Sequence, residues 1–217
     1  MTDADRRQET LARYGLPDGG PEPCFDALVQ AAATRFNVPI STISLIEARR
    51  QWFKARIGLD VDEGPLTESF CAKAIEHDDI MVVPDAREDE RFRDYPNVTG
   101  GTRIRFYAGA PLRMRDGEAI GTICVIDVAP RAPLDLEERA ALEDLARRTV
   151  AAFELRRDAR EQAAETGTPP DSRDWLDQAS GYLAKAWAAL DLANAGDTVA
   201  QVEQLMVEVD ARRLARR

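Results

Sequence analysis

The chain has 217 residues, a formal net charge of −10, 44% hydrophobic and 31% charged residues, which is the make-up of a globular chain with room for one domain and an appendage. The acidic balance gives no electrostatic reason to bind nucleic acid or an anionic membrane. No apolar run nears the roughly 20 residues that span a bilayer, and the polar start MTDADRRQET does not read as a signal peptide, so a cytoplasmic protein is expected.

Residues 3–14 read as a short amphipathic helix, with Leu11 and Tyr14 three apart. A Gly/Pro break follows, through Pro17, Gly19, Gly20, Pro21 and Pro23. Phe25, Leu28, Val29, Ala32 and Phe36 then fall on one side of a helix that Asn37 and Pro39 end. Two strands, Ile40–Glu47 and Gln51–Ile57, are joined by the short link Ala48-Arg49-Arg50 as a hairpin, closed by Gly58. Leu66–Glu76 has helical character. Ile80–Val83 is a four-residue strand stopped by Pro84. The polar stretch 85–102, broken by Pro96, Gly100 and Gly101, is long for a connection inside a domain, and such loops often bind.

The centre of the chain is 104–127. Ile104–Met114 and Ala119–Ile126 flank Arg115-Asp116-Gly117-Glu118, and Asp116-Gly117 supplies the positive φ of a tight hairpin turn. Both faces of this strand pair are apolar, so both are expected to be covered. Beyond Pro130 and Pro133, Leu134–Ala164 reads as a long helix. Residues 165–171 form a linker. Trp175, Leu176, Ala179, Tyr182, Leu183, Ala186, Trp187, Leu190 and Ala193 make an apolar helical stripe, Gly196 breaks it, and Val199–Leu214 continues as a second helix. Two such hairpins would form a four-helix bundle, so a homodimer through the terminal helices is expected.

The order helix, hairpin, short helix, strand, long loop, hairpin, long helix resembles a GAF domain. The resemblance is carried by Pro39-Ile-Ser-Thr-Ile-Ser-Leu-Ile46, Arg50-Gln-Trp-Phe-Lys54, Ser69-Phe-Cys-Ala72, Val82-Val-Pro-Asp-Ala86, Asp89-x-Arg-Phe92, Arg105-Phe-Tyr-Ala-Gly-Ala-Pro-Leu112 and Gly121-Thr-Ile-Cys-Val-Ile-Asp127. It covers roughly 22–157. It implies an α+β fold, a mainly antiparallel sheet flanked by helices, here followed by a C-terminal helical hairpin. The expected division is 1–21 for the first helix and break, 22–164 for the GAF-like domain, 165–171 for the linker and 172–217 for the hairpin. Members of this family bind cyclic nucleotides, tetrapyrroles, small metabolites or nothing, so the resemblance leaves the ligand open. Lys73 stands where similar sequences often have His, which weighs against a His-dependent site there.

The same resemblance implies a pocket between the sheet and the short helices and loops. The candidate ligand-binding residues are Trp52, Phe70, Cys71, Ile75, Phe92, Arg103, Arg105, Phe106 and Tyr107, with Arg93, Tyr95 and Val98 near them. The plainer alternative is a collapsed core in which the aromatics only fill space. Cys71, at the start of a short helix, has the placement of a thiol with lowered pKa; a small buried hydrophobe is the simpler role. Cys124 reads as strand packing. A redox pair of the two would imply the free methionine sulfoxide reductase branch of the family, whose cysteine-bearing segments are not matched. Arg103 and Arg105 could clamp a phosphate or carboxylate or pair with Asp89, Glu90 or Asp94. His77 reads as an exposed loop residue.

Three widely spaced cysteines and one histidine leave no disulfide framework and no His/Cys metal site. No phosphate-binding loop, GxSxG, HExxH or dinucleotide fingerprint is found, so no catalytic residue is assigned and no cofactor is named. The expectation is a cytoplasmic sensory protein whose GAF-like domain binds a small molecule or a protein partner and relays the event through its terminal helices. A ligand-free scaffold for dimerisation or protein interaction is the alternative, and a thiol-dependent methionine sulfoxide reductase-like enzyme a minor one.

Overall fold

The computed structural model describes residues 2–16 and 22–166. The hairpin expected over 172–217, with the dimer contact assigned to it, lies outside the described residues, as does the linker beyond Thr166. One compact unit extends to Arg157 and a second begins at Asp158; the account below concerns the first.

Helix α1 (Asp3–Arg13) starts at a capping box in which Thr2 and Asp5 exchange side-chain and backbone hydrogen bonds. Helix α2 (Pro23–Phe36) begins on a proline, whose missing N–H costs nothing at that position, and ends at Asn37, left-handed at φ 47°. The strands are β1 (Ile40–Ile46), β2 (Arg50–Ile57), β3 (Glu63–Pro65), β4 (Met81–Val83), β5 (Phe106–Arg113) and β6 (Ala119–Asp127). They form one antiparallel sheet in the order β3-β2-β1-β6-β5-β4. The expected central hairpin is thus β5–β6, and both expected hairpins pair as read. Its turn at Gly117, φ 85°, is held by α1: Arg6 meets Glu118 at 2.6 Å and the Thr10 hydroxyl donates to Asp116 at 2.7 Å.

Side chains alternate across the sheet, so it carries two separate cores. On one face Ile43, Leu45, Ile123, Val125, Phe106 and Ala108 pack with Phe25, Val29 and Phe36 of α2 and with Leu142, Leu145 and Phe153 of α5 (Leu136–Thr166). Phe25 and Phe153 have ring centroids 4.4 Å apart. On the other face Ile40, Ile46, Tyr107, Cys124 and Ile126 pack with α3 (Phe70–Ala74), with Val98 of α4 (Pro96–Thr99), and with Phe92 and Ile104.

Three local features depart from the sequence reading. The helix expected over Leu66–Glu76 is split at Ser69, whose extended backbone separates a 3-10 turn at Leu66–Glu68 from the five-residue α3. Strand β3 was not expected; Glu63-Gly64-Pro65 has no alternation, and it becomes a strand only by pairing with Arg50–Trp52 at the sheet edge. The 85–102 stretch contains α4, opened by Pro96 in its first turn.

Candidate functional site

The site begins with one row of the sheet. Thr42 of β1, Cys124 of β6 and Gly109 of β5 are cross-strand neighbours. In the next row stand Ile40, Ile126 and Tyr107. The Tyr107 ring lies along β5 over Gly109, where a Cβ would come within 2.1 Å of the phenol oxygen. A glycine is therefore what allows Tyr107 to point across the row. Its hydroxyl reaches the Cys71 sulfur at 3.5 Å. Cys71 Sγ stands 3.8 Å from Cys124 Sγ, which in turn lies 3.1 Å from the Thr42 hydroxyl. Four polar groups from β1, β6, β5 and α3 thus form a chain, with the buried Ser44 and Thr122 hydroxyls near it on the same face.

Helix α3 is set over this row by Ser69. The Ser69 hydroxyl accepts from the Ala72 N–H at 3.0 Å, a helix N-cap, and donates to the Gln51 side-chain oxygen of β2. Phe70 stacks on Phe92 at 4.2 Å and on Tyr107 at 5.2 Å, and meets Tyr95 edge-on at 5.8 Å. Such pairs add roughly 0.5–1.5 kcal/mol each beyond area burial. Asn97 of α4 donates to the Glu68 carbonyl at 2.9 Å, tying the far loop to the 3-10 turn.

A cavity of about 280 Å³ is left between these parts. The sheet provides its floor through Ile40, Thr42, Phe53, Tyr107 and Ile126, α3 its wall through Phe70 and Cys71, and the segments around Leu59–Glu68 and Asn97–Ile104 its rim. Gln51, Glu63, Glu68, Asn97 and Thr102 are the polar side chains of its rim and wall, with Thr42 and Tyr107 on the floor, and no Lys or Arg lines it among the described residues. The buried side-chain oxygen of Asn97 has no hydrogen-bond partner among the described residues; leaving such an acceptor unmet costs about 1–3 kcal/mol. A wider groove of about 520 Å³ beside Asp78–Ile80 is walled by charges that pair with one another, Arg113 with Asp78 at 2.5 Å and Arg115 with Glu154 at 3.3 Å.

The two thiols titrate as a pair. The hydrogen bond with Cys124 lowers the pKa of Cys71 against the opposing effect of burial, and Thr122, Tyr107 and Ser44 act in the same direction as Cys124. The same contact, with burial, raises Cys124 well above the ordinary thiol range. Burial, then the neighbouring sulfurs, raises the Tyr107 phenol, so it stays a donor.

Of the residues singled out from sequence, Phe70, Cys71 and Tyr107 line the cavity. Phe92 and Ile75 are buried in the same core just behind them. Trp52 and Phe106 belong to the opposite core, because their register places them on the α2 and α5 face. Arg103 is exposed at φ 56°, and Arg105 donates to the carbonyls of Val98 and Ile104, both at 2.9 Å. Neither arginine lines the cavity, and neither pairs with Asp89, which binds Arg91 at 2.7 Å. Thr42, Gln51, Phe53, Glu68, Asn97 and Thr102 were missed. The signal for Thr42 was present, a hydroxyl on the parity of Ile40 in a strand buried throughout; the loop residues gave none.

The GAF domain family profile matches residues 20–153. A protein of Pseudomonas aeruginosa named cyclic di-GMP phosphodiesterase is 45% identical over 149 residues, 69% of this chain and 25% of that protein, so the chain spans about a quarter of that relative's length. The GAF domain of an Acinetobacter phosphoenolpyruvate-protein phosphotransferase matches with a TM-score of 0.53 at 18% identity, covering 70% of this chain and 90% of that one. A free methionine-R-sulfoxide reductase from Neisseria meningitidis, solved with its substrate, matches with a TM-score of 0.52 at 18% identity, covering 73% and 95%. At those identities the likeness is one of fold. The six-stranded antiparallel sheet, helices on both faces and a profile match over more than half the chain together show that this chain belongs to the GAF domain family.

Proposed function

We propose that this chain is a sensory GAF domain whose ligand is a small, apolar-bodied molecule that is neutral or cationic and carries N–H donors. The observation that carries this reading is the cavity: about 280 Å³, floored by aromatic and aliphatic side chains, with acceptors at its polar end and no Lys or Arg among the described lining residues. Phosphate recognition draws on guanidinium forks, ammonium groups or helix N-termini; the two arginines nearest in sequence do not line the cavity, and the short α3 is already capped by the Ser69 hydroxyl. The Asn97 oxygen and the Glu68 carboxylate suit a ligand N–H. The relative's phosphodiesterase name supports a signalling context. The GAF profile over residues 20–153 supports a regulatory region rather than a catalytic one. Bound ligand would bridge α3, α4 and the sheet, and the β5–β6 hairpin would pass the change to α1 and α5 through the Asp116 and Glu154 contacts.

Thermal unfolding with three probes tests this: indole, adenine and cyclic di-GMP. A ligand at a hundred times its Kd stabilises the fold by about 2.7 kcal/mol. Stabilisation by indole or adenine and none by cyclic di-GMP is the expected pattern. Stabilisation by cyclic di-GMP alone would overturn it, and a flat response to all three would favour the ligand-free scaffold.

A further inference from the structure

We infer that Cys71 and Cys124 form a peroxide-reactive disulfide site at the floor of the cavity, with Cys71 as the attacking thiol and Cys124 as the resolving one. The assignment of roles follows from position. Cys71 lines the cavity, while Cys124 does not and is fully buried behind it on β6. The two sulfurs come from separate elements, α3 and β6, and already stand 3.8 Å apart. Nothing lies between them, and Cys24 is on the exposed surface of α2, outside this cluster. The remaining polar contacts suit the chemistry: the Tyr107 hydroxyl stays protonated and donates to Cys71, and the Thr42 hydroxyl meets Cys124.

The reaction balances with a hydroperoxide as the oxidant. The Cys71 sulfur attacks the terminal oxygen and the O–O bond breaks. The thiol proton goes to the departing oxygen, which leaves as an alcohol, or as water from hydrogen peroxide. Cys71 is then a sulfenic acid. The Cys124 sulfur attacks it, the S–O bond breaks, and hydroxide leaves with the Cys124 proton as water. Two thiols lose two electrons in all and one peroxide gains them. Closing the gap to a bond of about 2.05 Å draws the cavity wall toward its floor. Oxidation therefore competes with anything that occupies the cavity. This inference stands on the two thiols and holds whichever ligand the cavity takes.

The experiment uses the full chain carrying Cys24→Ser, which removes the surface thiol. Hydrogen peroxide is added to the native protein, and thiols are counted after denaturation. The expected result is a fall from two thiols to none, an intact mass lower by two hydrogens, a 71–124 cross-link on peptide mapping, and full reversal by dithiothreitol. With Cys124→Ser added, dimedone is expected to trap a sulfenic acid at Cys71. Persistence of both thiols at peroxide levels that consume free cysteine would overturn the site. So would oxygen addition at Cys71 with no cross-link, or, in the protein that keeps both core cysteines, dimedone labelling at Cys124 in place of Cys71. The first measurement is made on a protein with both core cysteines in place, so a folding defect in the second variant does not blunt the test.

Discussion

The two faces of the sheet are built to different rules. Between the sheet and helices α2 and α5, register positions are filled by Ile43, Leu45, Ile123, Val125 and Phe106, and the rings of Phe25 and Phe153 close the layer. Between the sheet and α3, the corresponding row carries Thr42, Cys124 and a glycine, and the layer leaves a cavity. The first face is close-packed and supplies stability. The second exchanges packing for hydroxyls, thiols and space, which a fold selected for stability alone would not need. One sheet can carry both because alternate residues face opposite ways, so polar substitutions on one parity leave the other untouched.

The sharpest way to break this division is to damage the packed face. Phe153→Ala should cost about 3–5 kcal/mol of stability, read by urea unfolding, and leave the Cys71–Cys124 reaction intact in the fraction that stays folded. Next comes Gly109→Ala. Its methyl would collide with the Tyr107 phenol, which would have to turn away from the row and give up its stacking on Phe70. The expected cost is about 1–3 kcal/mol, together with loss of the tyrosine donor from Cys71. If Gly109→Ala left stability and thiol reactivity both unchanged, the row would be ordinary packing. Thr42→Val keeps the shape and removes the hydroxyl beside Cys124; about 1 kcal/mol is expected, with a slower second step in disulfide formation. The smallest effect belongs to Arg103→Ala. Its side chain is exposed and away from the cavity, so stability should move by no more than about 0.5 kcal/mol and probe binding not at all. A loss of indole or adenine binding in that variant would place the ligand on the loop instead.

Most of the architecture is legible in the sequence. Runs of β-forming residues marked β1, β2, β5 and β6, the Asp116-Gly117 turn marked the central hairpin, and α2 and α5 followed from their apolar residues. Local physics suffices there, because each element's own side chains dictate its period and its ends. The site was less legible. Phe70, Cys71 and Tyr107 were singled out, yet Trp52 and Phe106 were grouped with them although register sends both to the other face. The parity of β2 could not be read along its length, since a bulge between Ile43 and Ser44 shifts its pairing and leaves Lys54 out of step.

Periodicity and turn chemistry were thus enough to place most elements, because they act within a few residues of one another, and the fold itself was implied by the resemblance to GAF domains. Cys71 and Cys124 lie 53 positions apart, and each reads as packing when taken with its own neighbours. Their meeting depends on the β1–β6 register, on the Ser69 cap that seats α3, and on the missing side chain at 109. The same holds for Asn97, Gln51 and Glu68, which come from three separate segments and share a cavity only once the sheet and loops have closed. Non-local distances of this kind are a property of the packed chain, and no window of sequence contains them.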